Sequence, residues 1–204
     1  MAITSKSPFR LVAFGCFLLA SSTAAFAQRV EVDKPKIGIT IQKTPRLAVQ
    51  GPKEKRDVQK FWIEVEVEFK ADQKGGDPNN EFIDEIEVKY FITVTPKNAK
   101  DRKVYTLTVL HGPILKDQTT YSVAYISPNN VAKIVGKDKA PGKADVDVAV
   151  EIRHQGQLVA GDSTKSPSSK WWNKMSQAEG MVLKKSETPF APLWFDRYAE
   201  EKKN

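Results

Sequence analysis

The sequence predicts an all-β protein, an antiparallel β-sandwich of about seven strands with an aromatic C-terminal extension, and three observations predict it. Apolar and polar residues alternate with a period of two in several long stretches; Gly, Pro and Asn clusters separate those stretches; and three of the four tryptophans fall after residue 165. Alternation of that kind places every second side chain on one face of a strand.

In chain order, the first strand expected is KIGITIQ (36–42). FWIEVEVEFK (61–70) follows, with Phe61, Ile63, Val65, Val67 and Phe69 on an inward face and Glu64, Glu66, Glu68 and Lys70 on a wet one. EIEVKYFITVT (85–95) directs Ile86, Val88, Tyr90, Ile92 and Val94 inward, and VYTLTV (104–109) does the same with Tyr105, Leu107 and Val109. TYSVAYI (120–126) is shorter. DVDVAVEIR (145–153) turns Val146, Val148, Val150 and Ile152 to the core, and QLVAG (157–161) is joined to it through His154-Gln155-Gly156. KGGDPNN (74–80), HGP (111–113), SPNN (127–130) and APGK (140–143) carry turn chemistry. Strands with one apolar face each need a second sheet to cover them, which makes an immunoglobulin-like sandwich the expected architecture, ahead of a small barrel. The Cys–Trp–Cys pin of antibody domains is absent.

At the N-terminus, Lys6 and Arg10 precede the apolar run LVAFGCFLLA, and small residues stand at Ala25 and Ala27. This is the pattern of a signal peptide over residues 1–27, leaving a sandwich domain over 28–165 and an aromatic extension over 166–204 packed on it. The run is too short for a membrane span, which takes about 20 apolar residues. Cys16 is badly placed for lipidation, because FLLA continues past it, and a prepilin helix is not expected, since the first acid is Glu31. The mature chain is therefore expected to be exported, with no transmembrane segment, to the periplasm, the outer membrane or the exterior. It would contain no cysteine, so its fold would rest on its core without a disulfide.

Charge and side-chain inventory narrow the chemistry. Removal of Lys6 and Arg10 leaves 30 basic against 25 acidic groups. The lysines of PKNAKDRK (96–103) and KIVGKDKAPGK (133–143) read as solvated loops without interleaved aromatics, so no nucleic-acid partner is expected. Two histidines, His111 and His154, stand at apparent strand-to-turn junctions and read as turn-stabilising or exposed groups. No zinc site, G-x-S-x-G elbow or phosphate loop is present, and no cofactor, metal or catalytic residue is expected. DQKGGDPNNE could offer oxygen ligands to calcium but lacks EF-hand spacing and reads as a hairpin tip. Glu64 and Glu66, like Glu85 and Glu87, sit two residues apart on one strand face. That spacing brushes the carboxylate separation of inverting glycosidases, yet an open face would leave both ionised.

The C-terminal third carries KWWNKM (170–175) and TPFAPLWFDRY (188–198). Between them a short strand is expected around Met181 to Leu183, and LWFDRYAEE could close as one helical turn. So aromatic a tail is expected to pack, on the sandwich or on a partner. Trp171 and Trp172 cannot both face the same way. Trp172 and Trp194 are expected to be mainly structural, with the exposed neighbour a candidate contact, and Trp171, Trp172, Trp194, Phe195 and Tyr198 together form the candidate partner-binding set.

KWWNKM, TPFAPLWFDRY and FWIEVEVEFK together resemble a family of small exported proteins of Verrucomicrobia, the group containing Akkermansia, one member of which is encoded in a type IV pilus-assembly locus. The resemblance implies an immunoglobulin-like sandwich with an accessory or surface-associated role, and it carries no catalytic residue over to this chain. The function expected is a non-enzymatic interaction module of the cell envelope, binding pilus or envelope proteins or a host ligand. The alternatives are a glycan-binding module and, further off, a carboxylate-dependent glycoside hydrolase.

Overall fold

The computed structural model describes residues 29–45, 60–75, 77–136 and 141–202. The expected signal peptide, with Cys16, lies outside them. No helix among the described residues is long and apolar enough to cross a membrane.

Strands β1 (Arg29–Val32) and β2 (Lys36–Lys43) follow one another along the long strand β3 (Phe61–Lys74). After β3 come β4 (Phe82–Ile83), β5 (Ile86–Val94), β6 (Val104–His111), β7 (Ile114–Leu115) and β8 (Thr119–Ile126). The helix α1 (Pro128–Val135), the hairpin β9 (Val146–His154) and β10 (Gln157–Ser163), and the short strands β11 (Gln177–Ala178) and β12 (Val182–Lys184) complete the chain. One sheet runs β1/β2–β3–β8–β12 and the other β10–β9–β5–β6–β11; β4 and β7 form a separate two-stranded ladder. Every pair is antiparallel except β11 with β6. The fold is an all-β, immunoglobulin-like sandwich, and all seven expected strands are present.

The inward faces are those the alternation dictates. Ile63, Val65, Val67 and Phe69 of β3 meet Ile86, Val88, Tyr90 and Ile92 of β5 and Val146, Val148, Val150 and Ile152 of β9 in one core. Phe61 departs from expectation and is exposed at the start of β3. KGGDPNN is no hairpin tip either, because β3 and β5, which it separates in sequence, lie in opposite sheets. SPNN begins a helix rather than a turn. Ser127 accepts a hydrogen bond from the Asn130 N–H at 3.3 Å, Pro128 occupies the first turn, and Val131, Ile134 and Val135 at i, i+3 and i+4 enter the core. Three of the lysine-rich loop's residues, 133–135, are thus helical.

His111 and His154 are both buried rather than turn-exposed. His154 ends β9 at a two-residue turn in which Gln155 (φ 49°) and Gly156 (φ 77°) are both left-handed, the geometry that matches strand twist in tight hairpins. The extension after residue 165 is woven in rather than laid on. Its β11 pairs with β6 of one sheet and its β12 with β8 of the other.

Just after the bulge between Leu158 and Ala160 of β10, Gly161 lies so close to β9 that a Cβ would sit 2.8 Å from the Val150 carbonyl oxygen. Gly161→Ala is expected to cost about 1–3 kcal/mol by overpacking against backbone, read as a lowered denaturation midpoint with unchanged slope.

Candidate functional site

Each sheet has an outer face that the period-two pattern would leave wet, and in each case part of that face is apolar. On the β9–β5–β6 sheet the outward residues include Phe91, Val104 and Ala149, and Trp172 packs over them at 5% exposure. A left-handed Lys170 (φ 39°) turns the chain so that Trp171 and Trp172 meet edge to face, centroids 5.8 Å apart. Trp172 donates its indole N–H to Glu151 Oε1 at 3.2 Å, and half-buried Trp171 donates to Ser163 Oγ at 2.9 Å. Both rings of KWWNKM are therefore seated on their own sheet, Trp172 fully and Trp171 in part.

The other outer face is covered by the end of the chain. Trp62, at an even position in an otherwise acidic face, sits edge-on to Phe190 (5.4 Å) and Tyr125 (6.4 Å), and Tyr125 stacks flat on Phe190 at 4.8 Å. The Trp62 indole N–H donates to Thr44 Oγ1 at 3.0 Å. From Thr188 the chain takes successive turns, closed by hydrogen bonds such as Leu193 N–H to Phe190 C=O and Arg197 N–H to Trp194 C=O, in place of a helical turn. Its end then bridges the sheets: Ala199 N–H donates to Tyr121 C=O of β8, Lys202 N–H donates to Leu110 C=O of β6, and Gly112 N–H, just past β6, donates to Glu200 C=O.

Glu66 fixes this tail. Arg197 donates to both of its carboxylate oxygens, at 3.0 and 2.7 Å, and the Tyr198 hydroxyl donates to it at 2.8 Å. The guanidinium also lies 3.8 Å from the centre of the Tyr121 ring. Glu64, one pleat away, is paired with Gln42 and lies beside the buried Tyr125 hydroxyl. The two carboxylates respond oppositely. The Arg197 hydrogen bonds hold Glu66 below the ordinary glutamate value, whereas burial pushes Glu64 above it. Around Glu64 and Glu66 the acidic face is thus partly covered and differentiated, whereas Glu68 and Lys70 keep the partly solvated setting expected of it.

A cavity of about 380 Å³ opens between the tail and the β6–β8 edge, lined among others by His111, Val123, Lys185, Phe195, Tyr198 and Glu201. His111, 2% exposed, belongs to a buried chain of hydroxyls in which Tyr90 donates to Ser122 Oγ (2.6 Å) and Ser122 pairs with His111 Nε2 (2.7 Å), while Nδ1 lies 3.3 Å from the Glu200 carbonyl. With Tyr90 donating, Ser122 donates to Nε2 and Nδ1–H donates to Glu200, the neutral tautomer that burial favours. Ser122 is fully buried, so this Ser–His pair ties strands together.

The five candidate residues do not form one site. Trp171 and Trp172 lie on one outer face; Phe195 and Tyr198 meet at the cavity on the other side of the sandwich, with Trp194 next to them in sequence. Trp194, expected to be structural, is 51% exposed, and Phe195 is 69% exposed. Its backbone explains the difference, since a left-handed turn at Trp194 (φ 50°) swings the indole off the sheet. Trp62, Phe190, Arg197 and Lys185 were not anticipated as part of the site. Trp62 alone carried a signal, as a large ring interrupting the polar half of a period-two pattern. Among the described residues no three His, Cys, Asp or Glu side chains converge as a metal site.

The fold places the chain among immunoglobulin-like β-sandwich proteins, and comparison with known proteins sharpens that placement. A family model matches residues 22–204. A crystal structure from Akkermansia muciniphila is similar with a TM-score of 0.76 and 26% sequence identity, over 87% of this chain and 96% of that one. No match was found among curated proteins. The chain belongs to this family of small immunoglobulin-like proteins represented in Akkermansia.

Two predictions follow the two covered faces. Trp172→Ala is expected to cost about 3–5 kcal/mol, and Trp171→Ala distinctly less, in equilibrium unfolding. Glu66 and Glu64 should show linkage of opposite sign. Because its folded pKa is lowered, Glu66 contributes stability that is full above the ordinary value of 4.5 and is lost as pH falls through the folded value. With a raised folded pKa, Glu64 contributes below 4.5 and loses that contribution as pH rises through the folded value. Glu66→Gln should therefore destabilise at pH 7 and Glu64→Gln should stabilise, both differences shrinking in acid, as measured by urea melts from pH 3 to 7.

Proposed function

We propose that the protein is an exported, non-enzymatic interaction module of the cell envelope, accessory to type IV pili or outer-membrane assemblies, and that it holds its partner through Trp194 and Phe195. The observation that carries this reading is the combination of exposure and strain at Trp194. A large aromatic in the left-handed region costs about 1–2 kcal/mol relative to a residue that accepts that conformation. Burial of the indole would offset that cost, but this ring remains half in solvent beside a still more exposed Phe195. Exposed aromatic pairs on a rigid support are the residues that anchor protein interfaces. Rigidity is supplied here by the Glu66–Arg197 clamp on one side and the Phe190 stack on the other.

The same reading leaves little room for acid–base chemistry at the acidic strand. Glu66, held ionised by Arg197 and Tyr198, carries no proton to give, and three of its roughly four acceptor positions are taken. The resemblance to a family with a member in a pilus locus supports the choice of partner, and the N-terminal pattern supports export.

Trp194→Gly separates folding from binding. The variant is expected to be as stable as the wild type or more so, within about 1 kcal/mol, because glycine accepts the left-handed conformation. Cross-linking in cells should meanwhile lose the pilus or outer-membrane proteins captured by the wild type, and Phe195→Ser should behave alike. A Trp194→Gly protein that is markedly destabilised, or that captures the same partners, would return the ring to a structural role. Retained binding to glycan arrays, lost in the variant, would redirect the same surface to sugars.

A further inference from the structure

The cavity under the tail holds a lysine that the protein-contact surface does not use. Lys185, in the turn after β12, is only 7% exposed. Its Nζ donates to the Ala191 carbonyl at 2.7 Å and lies 5.5 Å from the centre of the Tyr198 ring. An ammonium has three donors, and this one has no carboxylate in ion-pair range among the described residues. Glu201, whose charge favours the ammonium from further off, accepts hydrogen bonds from the Ser186 N–H and hydroxyl instead. Desolvation accordingly pulls the lysine below its ordinary value. Lysine is among the residues least often found fully buried without a partner, because removing an unpaired charge from water is costly. A side chain with a four-carbon stem could reach solvent from most surface turns. This one is folded inward, onto the cavity wall.

The rest of that wall is mixed. Val123, the half-buried Ala191 and Ala199 and the exposed Phe195 give it an apolar side, while the neutral His111, Ser186, Tyr198, Glu200 and Glu201 give it a polar one. Glu201 is already engaged by Ser186, which leaves Lys185 as the cation on that wall. The volume, about 380 Å³, falls at the small end of the roughly 300–1,000 Å³ typical of small-molecule sites. It admits a single short chain or ring and excludes a two-chain lipid.

We propose that this cavity binds a small amphiphile with one anionic head on a short apolar stem, the head against Lys185 Nζ and the stem against Val123, Ala199 and Phe195. The head supplies the counter-charge the lysine lacks, and the stem replaces water on the wall's apolar side. A carboxylate and a phosphate monoester satisfy the same requirement, and either can carry such a stem. Because the tail from Thr188 to Lys202 forms the cavity's outer wall, occupancy would also brace the segment that presents Trp194. The site goes beyond the protein-contact reading and does not depend on it, since ligand binding is read on the isolated protein.

Isothermal titration of the purified protein with decanoate, decyl phosphate, decanol and decyltrimethylammonium, each below its micelle threshold, tests the proposal. At least one anion is expected to bind at one site, with decanol and the cation at least tenfold weaker, and the tighter anion identifies the head group. Amide shifts on titration should centre on Val123, Lys185 and Ala199. Lys185→Met, which keeps the stem and removes the charge, is expected to weaken the anion at least tenfold while leaving decanol unchanged. No binding by either anion, equal binding of decanol, or shifts centred elsewhere would overturn the proposal. Should Lys185→Met fail to fold, the wild-type comparison of anions with decanol and the shift map still decide.

Discussion

The constraint on which the rest of this structure depends is that neither sheet can leave its outer face in water. Trp62 and Tyr125 on one side, and Phe91 with Ala149 on the other, present apolar surface where a two-layer sandwich would expose polar side chains. Each large ring left in solvent would forgo about 2–3 kcal/mol, and the chain, whose only cysteine precedes the sandwich, has no disulfide to offset such a loss. One continuous C-terminal segment resolves both. It lays Trp172 on Phe91 and Ala149, passes β11 to one sheet and β12 to the other, and finally stacks Phe190 against Tyr125 and edge-on to Trp62. The tail is thus a structural third layer on both sides.

That arrangement explains what could be read from the sequence. The inter-sheet core was legible because burial on one face of a strand writes a period of two, and Ile86, Val88, Tyr90 and Ile92 carry it without interruption. The partition of strands between sheets was not, since β3 and β5 alternate in the same way and nothing local tells a hairpin from a crossing between layers. Helix α1 was missed because eight residues span barely two turns, too few for a 3.6-residue period to stand out from a lysine-rich loop, although Ser127 and Pro128 mark its start. The outer faces were hidden by the glutamates themselves. Glu64, Glu66 and Glu68 announce a wet face, and only Trp62 contradicts them.

The candidate site was partly legible for the same reason. Aromatic residues signalled that the tail packs, but their count does not say on what or which ring is left out. Tryptophans 171 and 172 found cover on their own sheet because a left-handed Lys170 redirects the chain just before them. Trp194 lost its cover because the left-handed residue is the tryptophan itself. Lys185 gave no sign at all, being one of many lysines, and its burial follows from the course of a segment whose turns carry no periodic pattern.

The clamp at Glu66 links these observations. Were Arg197 merely a surface charge, its pairing would be worth a fraction of a kcal/mol. Instead its guanidinium meets the carboxylate with two nitrogens, lies over the Tyr121 ring and sits between the turn at Trp194 and the strand-like run from Ala199 to Lys202. A bidentate contact fixes orientation as well as distance, because both oxygens must be met at once. The residue fixed on one side is the strained, exposed Trp194; on the other lie Tyr198 and Ala199, which wall the cavity holding Lys185. A single ion pair therefore holds in place both the turn that presents the exposed rings and the segment that walls the pocket.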